Sequence, residues 1–136
     1  MISSMPIELS VLVWSAALLF ILIVIYANAN VSAMGMQWGI GNRDEGSPAA
    51  GAGPRAKRAA SNLIENLLIY ACLVIPAHLA GIHTSLTVLG AELFLIGRIV
   101  HALVYTLGLT FLGIRTIAWA VAVVGYLIIF YQIVTF

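Results

Sequence analysis

The sequence predicts an all-α membrane protein, four transmembrane helices in an up-down bundle, and three observations carry that prediction. Hydrophobic residues make up 62% of the chain and charged residues 8%, with a mean hydropathy of +1.09. A water-soluble domain carries about 25% charged residues. Four apolar segments, at residues 7–30, 55–80, 84–109 and 113–135, each exceed the ~20 residues a helix needs to cross ~30 Å of hydrocarbon. The stretches between them hold the turn-forming residues. At 136 residues the chain is one domain, 1–136.

The first segment resembles a signal peptide only in its position. Residues 1–8 contain no Lys or Arg, so the positive n-region is missing, and the run from Leu9 to Ala29 is long enough to span. It reads as a retained helix. Runs such as Leu18 to Val24 show no two-residue alternation, which excludes a membrane barrel and leaves helices to satisfy the backbone in lipid. Gly35 to Pro54 has loop composition, with glycines, prolines and the polar cluster Asn42-Arg43-Asp44-Glu45. Gly81 to Thr84 links the second and third segments, and Gly108 to Gly113 links the third and fourth. Links this short force antiparallel neighbours. Arg43, Arg55, Lys57 and Arg58 flank the first connection and Arg115 the third, while both termini and the second link lack cations. Positive charge marks the cytoplasmic side, so both termini are expected on the far side.

Composition also excludes functions. A net charge of +1 gives no field for nucleic acid. The lone Cys72 allows no intrachain disulfide and reads as a small buried hydrophobe. No Walker, Gly-x-Ser-x-Gly or paired-cysteine signature is present.

The chemistry gathers in one seam. Arg58, Asn62 and Glu65 fall on one face of the second segment, and Arg98, His101 and Tyr105 on one face of the third. Counting in opposite directions along these antiparallel helices, Glu65 falls level with Arg98, Asn62 with His101, and Arg58 with Tyr105. Glu65 lies about 15 Å deeper than Arg55 at 1.5 Å per residue. A lone charge there costs roughly 2.5–3.5 kcal/mol, so an ion pair with Arg98 is expected. That pair serves equally as a clamp for the bundle. The outer rungs form a polar pocket open toward the cytoplasm, with donors suited to an anionic, peptide-like ligand. Arg115 opens the fourth segment beside it. Its plain reading is an interfacial anchor; its functional reading is a cation that holds a bound thiol as thiolate.

Other residues carry less. His78 and His83 lie five apart with no carboxylate or cysteine near them in sequence, so no metal site is expected. Glu92 lies about 240° around the helix from Arg98 and faces a neighbouring subunit or outward. Trp14, Trp38 and Trp119 read as lipid or interface packing, and Gly90 and Gly97 permit close helix approach.

The seam residues resemble a known family. Arg58-Ala-Ala-Ser-Asn-Leu-Ile-Glu65 is similar to the second-helix signature of the membrane-associated proteins in eicosanoid and glutathione metabolism, MAPEG: Arg-Ala, two variable residues, Asn, two more, Glu. Arg98 to Tyr105 is similar to the third-helix signature Arg-x-x-His-x-x-x-Tyr, and Gly41 to Asp44 resembles the first loop of bacterial members. The resemblance implies a homotrimer in a bacterial inner membrane, with glutathione as co-substrate in clefts between subunits near the cytoplasmic side. It implies that Arg58, Asn62, Glu65, His101 and Tyr105 contact or organise glutathione, that Arg98 belongs to the same buried network, and that Arg115 activates the thiol. The chain departs from the family at three places. The Tyr26–Asn30 stretch lacks an arginine, Ile69 stands where a proline is usual, and no acid precedes Arg55.

The expected function is a glutathione-dependent transferase or peroxidase acting on lipophilic electrophiles or lipid hydroperoxides that arrive from the bilayer. A non-catalytic lipid- or ligand-binding scaffold of the same fold is the alternative. A small transporter is a third reading, opposed by the absence of broken helices at mid-membrane.

Overall fold

The computed structural model describes residues 4–136, the side chain of Leu112 excepted. Five α-helices follow one another: α1 (Ile7–Met34), the short α2 (Met36–Ile40), α3 (Ala52–Leu79), α4 (Ser85–Leu107) and α5 (Ile114–Thr135), the last preceded by a 3-10 turn at Phe111–Gly113. α1, α3, α4 and α5 are each long and apolar enough to cross a membrane. The expected four-span, all-helical architecture is therefore the observed one.

The ends differ from expectation in ways with local causes. α1 runs on to Met34 and stops at Gly35, whose φ of +84° an L residue rarely adopts. The chain then makes one helical turn, α2, within the stretch read as loop. The Arg43 guanidinium closes that turn, donating from Nε (3.1 Å) and Nη2 (2.7 Å) to the Gly39 carbonyl. Trp38 Nε1 donates to the Glu45 carbonyl at 2.8 Å and folds the loop back. α3 starts at Ala52 rather than 55, because Pro54 sits in the first turn, where its missing N–H has no helical partner to lose. α4 opens on a reciprocal cap: Thr87 N donates to Thr84 Oγ1 (3.2 Å) and Thr84 N to Thr87 Oγ1 (2.9 Å). It closes on Gly108, with φ +75°.

Packing is most extensive between α4 and α5 and next between α1 and α3, with α1–α4 and α3–α4 contacts joining the two pairs. Glycine explains the first. A Cβ at Gly90 would lie 2.5 Å from the Gly125 carbonyl oxygen, and one at Gly97 would lie 2.7 Å from the Ala122 nitrogen. α4 and α5 touch backbone to backbone, as small residues permit in membranes. One core cluster centres on Tyr70 and Phe94, stacked with centroids 4.2 Å apart, together with Val11, Val74 and Ile129. A second joins Leu22, Ala56, Ala59, Leu63 and Ala102. The outside is apolar as well: Phe20, Leu68, Leu103 and Phe130 are all exposed. Hydrocarbon, not water, suits that surface.

Cys72 corrects one expectation. It is exposed, on the same outward side of α3 as Leu68, Ile69 and Ile75, rather than buried. An apolar run in a membrane helix does not distinguish the core face from the lipid face, because lipid accepts both.

Candidate functional site

α3 and α4 carry the polar seam, and near the start of α3 and the end of α4 it opens into a cavity of about 540 Å³. Arg58, Asn62 and Glu65 line it from α3, His101 and Tyr105 from α4. These are five of the seven residues singled out from sequence. Lys57, Ser61 and Pro54 complete the wall. Helical spacing could have found Lys57 and Ser61, since each lies four residues from the next polar position along the same flank: Lys57 from Ser61, and Ser61 from Glu65.

The rungs form differently from the expected ladder. Arg98 does not pair with Glu65: among the described residues the one acid–base contact within ion-pair distance is between Glu8 and His83. Arg98 instead donates from Nη1 to Asn62 Oδ1 at 2.8 Å. Helix geometry gives the reason. Glu65 lies about 60° round α3 from Asn62, so with Asn62 turned inward Glu65 falls on the exposed cavity wall. Arg98 is 1% exposed, and its Nε and Nη2 have no protein partner. It stands behind the cavity and fixes Asn62 from the rear. Asn66 Nδ2 donates to the Asn62 carbonyl at 2.8 Å, holding the same turn.

The Arg58–Tyr105 rung is observed, as a guanidinium 5.8 Å from the ring centroid. Asn62 and His101, expected level with each other, do not bond to each other. His101 is buried against Tyr105, ring centroids 5.5 Å apart, and shares the cavity wall with Asn62. Arg115 does not line the cavity but reaches it through the same tyrosine, its guanidinium 4.8 Å from the Tyr105 centroid. Tyr105 thus gathers two cations that lie 57 positions apart in the chain, an arrangement favoured by the ring quadrupole.

Arg55 secures this end. Its Nε donates to the Thr106 carbonyl at 3.0 Å, and its guanidinium packs over Gly108, where a Cβ would approach to 3.0 Å. A second polar cavity of about 500 Å³ lies beside the first between the end of α1, the first loop and α3, lined by Tyr26, Asn30, Trp38, Arg43 and Lys57. Pro54 and Lys57 belong to both. Glu92 is exposed on the outer side of α4, as expected.

Chemically, the seam offers guanidinium and ammonium groups for carboxylates, an amide and a carboxylate for an amine, and two cations near one ring. That donor set fits a small zwitterionic acid with several charged groups.

One cluster escaped the sequence reading. At the opposite end of the bundle, Glu8 is buried and accepts a hydrogen bond from the Thr87 hydroxyl at 2.6 Å. His83 Nδ1 lies 3.3 Å from the same carboxylate oxygen. The histidines therefore do have a carboxylate beside them, supplied by α1 across 75 positions of sequence. An acid in the first turn of a spanning segment was the available signal.

Among protein families, the sequence model of the MAPEG family matches residues 11–135. No curated protein and no solved structure matches the chain.

Proposed function

The chain belongs to the MAPEG family, and on that footing we propose that it is a membrane-embedded, glutathione-dependent transferase or peroxidase acting on lipophilic electrophiles or lipid hydroperoxides. The observation that carries the reading is a polar cavity walled by Arg58, Asn62, Glu65, His101 and Tyr105 between two helices that are each apolar enough to span a membrane. Arg58 and Lys57 receive the carboxylates of the tripeptide, and Glu65 its amine. Arg98 acts through Asn62, as a positioning residue.

Arg115, held against Tyr105, stabilises the bound thiol as thiolate, since a nearby cation favours the charged form of sulfur. In transfer, the sulfur lone pair forms a bond to carbon of the electrophile. The displaced electron pair leaves with the leaving group or is protonated, and the thiol proton goes to solvent. In peroxide reduction, the sulfur takes the terminal oxygen and the lipid leaves as its alcohol. A second thiol then gives the disulfide and water. The lipophilic partner enters sideways from the bilayer.

The same reading includes a homotrimer in a bacterial inner membrane, with the first loop cytoplasmic and the termini outside. All six Lys and Arg except Arg98 cluster at the cavity end, which supports that orientation. Native mass measurement in mild detergent should give three chains.

Calorimetry on purified protein tests the reading: saturable glutathione binding at millimolar ligand is expected, with thiolate absorbance appearing on addition. No heat at that concentration refutes it. A non-catalytic scaffold is the second reading, favoured by Arg115 standing behind Tyr105 rather than lining the cavity. Arg115→Ala separates the two, with turnover lost and binding retained in an enzyme, and no functional change in a scaffold.

A further inference from the structure

The starts of α1 and α4 and the end of α3 converge at the end of the bundle opposite the thiol cavity, and their polar groups form a chain that the proposed reaction does not use. Glu8 is its buried anchor, 4% exposed. Its carboxylate takes the Thr87 hydroxyl at 2.6 Å and faces His83 Nδ1 at 3.3 Å, while its backbone carbonyl takes the Tyr70 hydroxyl at 2.9 Å. Beyond it, His83 Nε2 lies 3.0 Å from His78 Nδ1. The His83 side chain is 35% exposed and His78 half-buried, so water reaches the pair.

The order of these contacts fixes the protons. A carboxylate only accepts, so the His83 nitrogen facing Glu8 carries a hydrogen. In the neutral ring the other nitrogen, Nε2, is then a bare lone pair, and it points at His78. This is the arrangement that metal-binding histidines share: one nitrogen on a carboxylate, which sets the tautomer and raises basicity, and the other free to ligate.

We propose that His78 Nδ1 and His83 Nε2 form a two-nitrogen site for a divalent first-row transition ion of the zinc and copper class, with Glu8 as the supporting carboxylate behind His83. Distance agrees. With metal–nitrogen bonds of about 2.0–2.1 Å, two ligands stand about 2.9 Å apart at a right angle and about 3.3 Å apart in a tetrahedron, and the observed 3.0 Å lies between. The rings cross at 68° with centroids 5.1 Å apart, so neither ring blocks the other's nitrogen by stacking. Imidazole ligands select this class over magnesium or calcium. On binding, the proton that the two nitrogens share moves to His78 Nε2, so both ligating nitrogens offer lone pairs from neutral rings, and solvent fills the remaining positions.

Glu8 does not itself ligate; it is buried and already engaged by Thr87 and His83. Among the described residues no three ligating side chains gather round one point. Two protein ligands where structural sites use four make this a weaker site than a structural one. The ion would join the end of α3 to the link that follows it, through His78 and His83, with Glu8 of α1 already behind His83, and so stabilise that end by binding the folded state alone.

The test uses tag-free, full-length protein in detergent. Zinc is titrated against a chromophoric chelator, and copper is read by electron paramagnetic resonance. One ion per chain is expected, with nitrogen hyperfine structure from two imidazoles and a thermal midpoint that rises with zinc. His78→Gln keeps a hydrogen-bonding side chain but should lower affinity at least tenfold and abolish the zinc-dependent rise, as should His83→Gln. Glu8→Gln should weaken binding tenfold to a hundredfold. Cys72→Ser, which removes the one thiol, should change nothing. Binding weaker than millimolar, or binding that survives both histidine substitutions, overturns the site. Glutathione affinity is measured on the same samples and reads the opposite end, so either proposal can fail without the other.

Discussion

Arg98 is buried in the seam between α3 and α4, where it donates to the Asn62 side-chain oxygen at 2.8 Å. The amide satisfies one of the guanidinium's nitrogens and leaves Nε and Nη2 without protein partners, which sets an asymmetry between the two possible deletions. Asn62→Ala strips a buried cation of its one side-chain acceptor and should cost about 3 kcal/mol. Arg98→Met removes the cation together with its unmet donors, fills similar volume, and should cost less than about 1 kcal/mol. Denaturation in mixed micelles measures both, and equal losses would contradict the pairing. Tyr105 supports a second contrast. Its ring, not its hydroxyl, meets Arg58 and Arg115, so Tyr105→Phe should keep thiolate formation within about twofold. Tyr105→Leu gives up two contacts of about 0.5–1 kcal/mol each and should reduce it roughly tenfold, read by ultraviolet absorbance with glutathione.

At the scale of elements, the four spans are legible because hydrophobic length is a one-dimensional property, while their ends are less so: α1 runs past 30 to Met34 and α3 begins at Ala52. Which helix lies closest to which is not legible. Short links predict antiparallel neighbours, yet α4 packs more closely on α5 than on α3, and only the positions of Gly90, Gly97 and Gly125 decide that. Gly90 and Gly97 were visible as sites of close approach; their partner was not, since both faces of a membrane helix can be apolar. The same ambiguity turned Cys72 outward. Glu8 went unread for another reason: its histidine and threonine partners come from other elements, and no local pattern announces them. The contact between α4 and α5 makes a sharp prediction. A side chain at Gly97 would meet the Ala122 nitrogen at 2.7 Å and the Ala118 carbonyl at 2.8 Å, backbone atoms that cannot rotate away. Gly97→Val should therefore force the helices apart and destabilise the bundle by about 1–3 kcal/mol or more. Ala120→Val, on an exposed part of α5, should lie within about 0.5 kcal/mol of the parent. Thermal midpoints in detergent compare the two.

For the whole molecule, the proposed chemistry depends on which side of the membrane the cavity faces, because a cytosolic thiol must reach it from the end that holds Arg58 and Lys57. The spans put the first loop and the start of α5 at that end, and the termini with the α3–α4 link at the other. Five of the six cations lie at the cavity end, a bias that the insertion machinery reads as cytoplasmic. Glu65 and Glu92 face outward from the single subunit. A carboxylate left against hydrocarbon near the bilayer centre costs roughly 2.5–3.5 kcal/mol; in the proposed homotrimer a neighbouring subunit over the cavity would cover Glu65 and enclose the cavity on its open side. Orientation is tested directly in a Cys72→Ser background. Ala50→Cys places an exposed thiol in the first loop, and Ser85→Cys places one at the opposite end. In spheroplasts of a bacterial host, a membrane-impermeant maleimide should label the Ser85→Cys protein at once and the Ala50→Cys protein only after permeabilisation. The reverse pattern would open the cavity to the cell exterior, where cytosolic glutathione does not reach it, and the thiol reading would fall with the orientation.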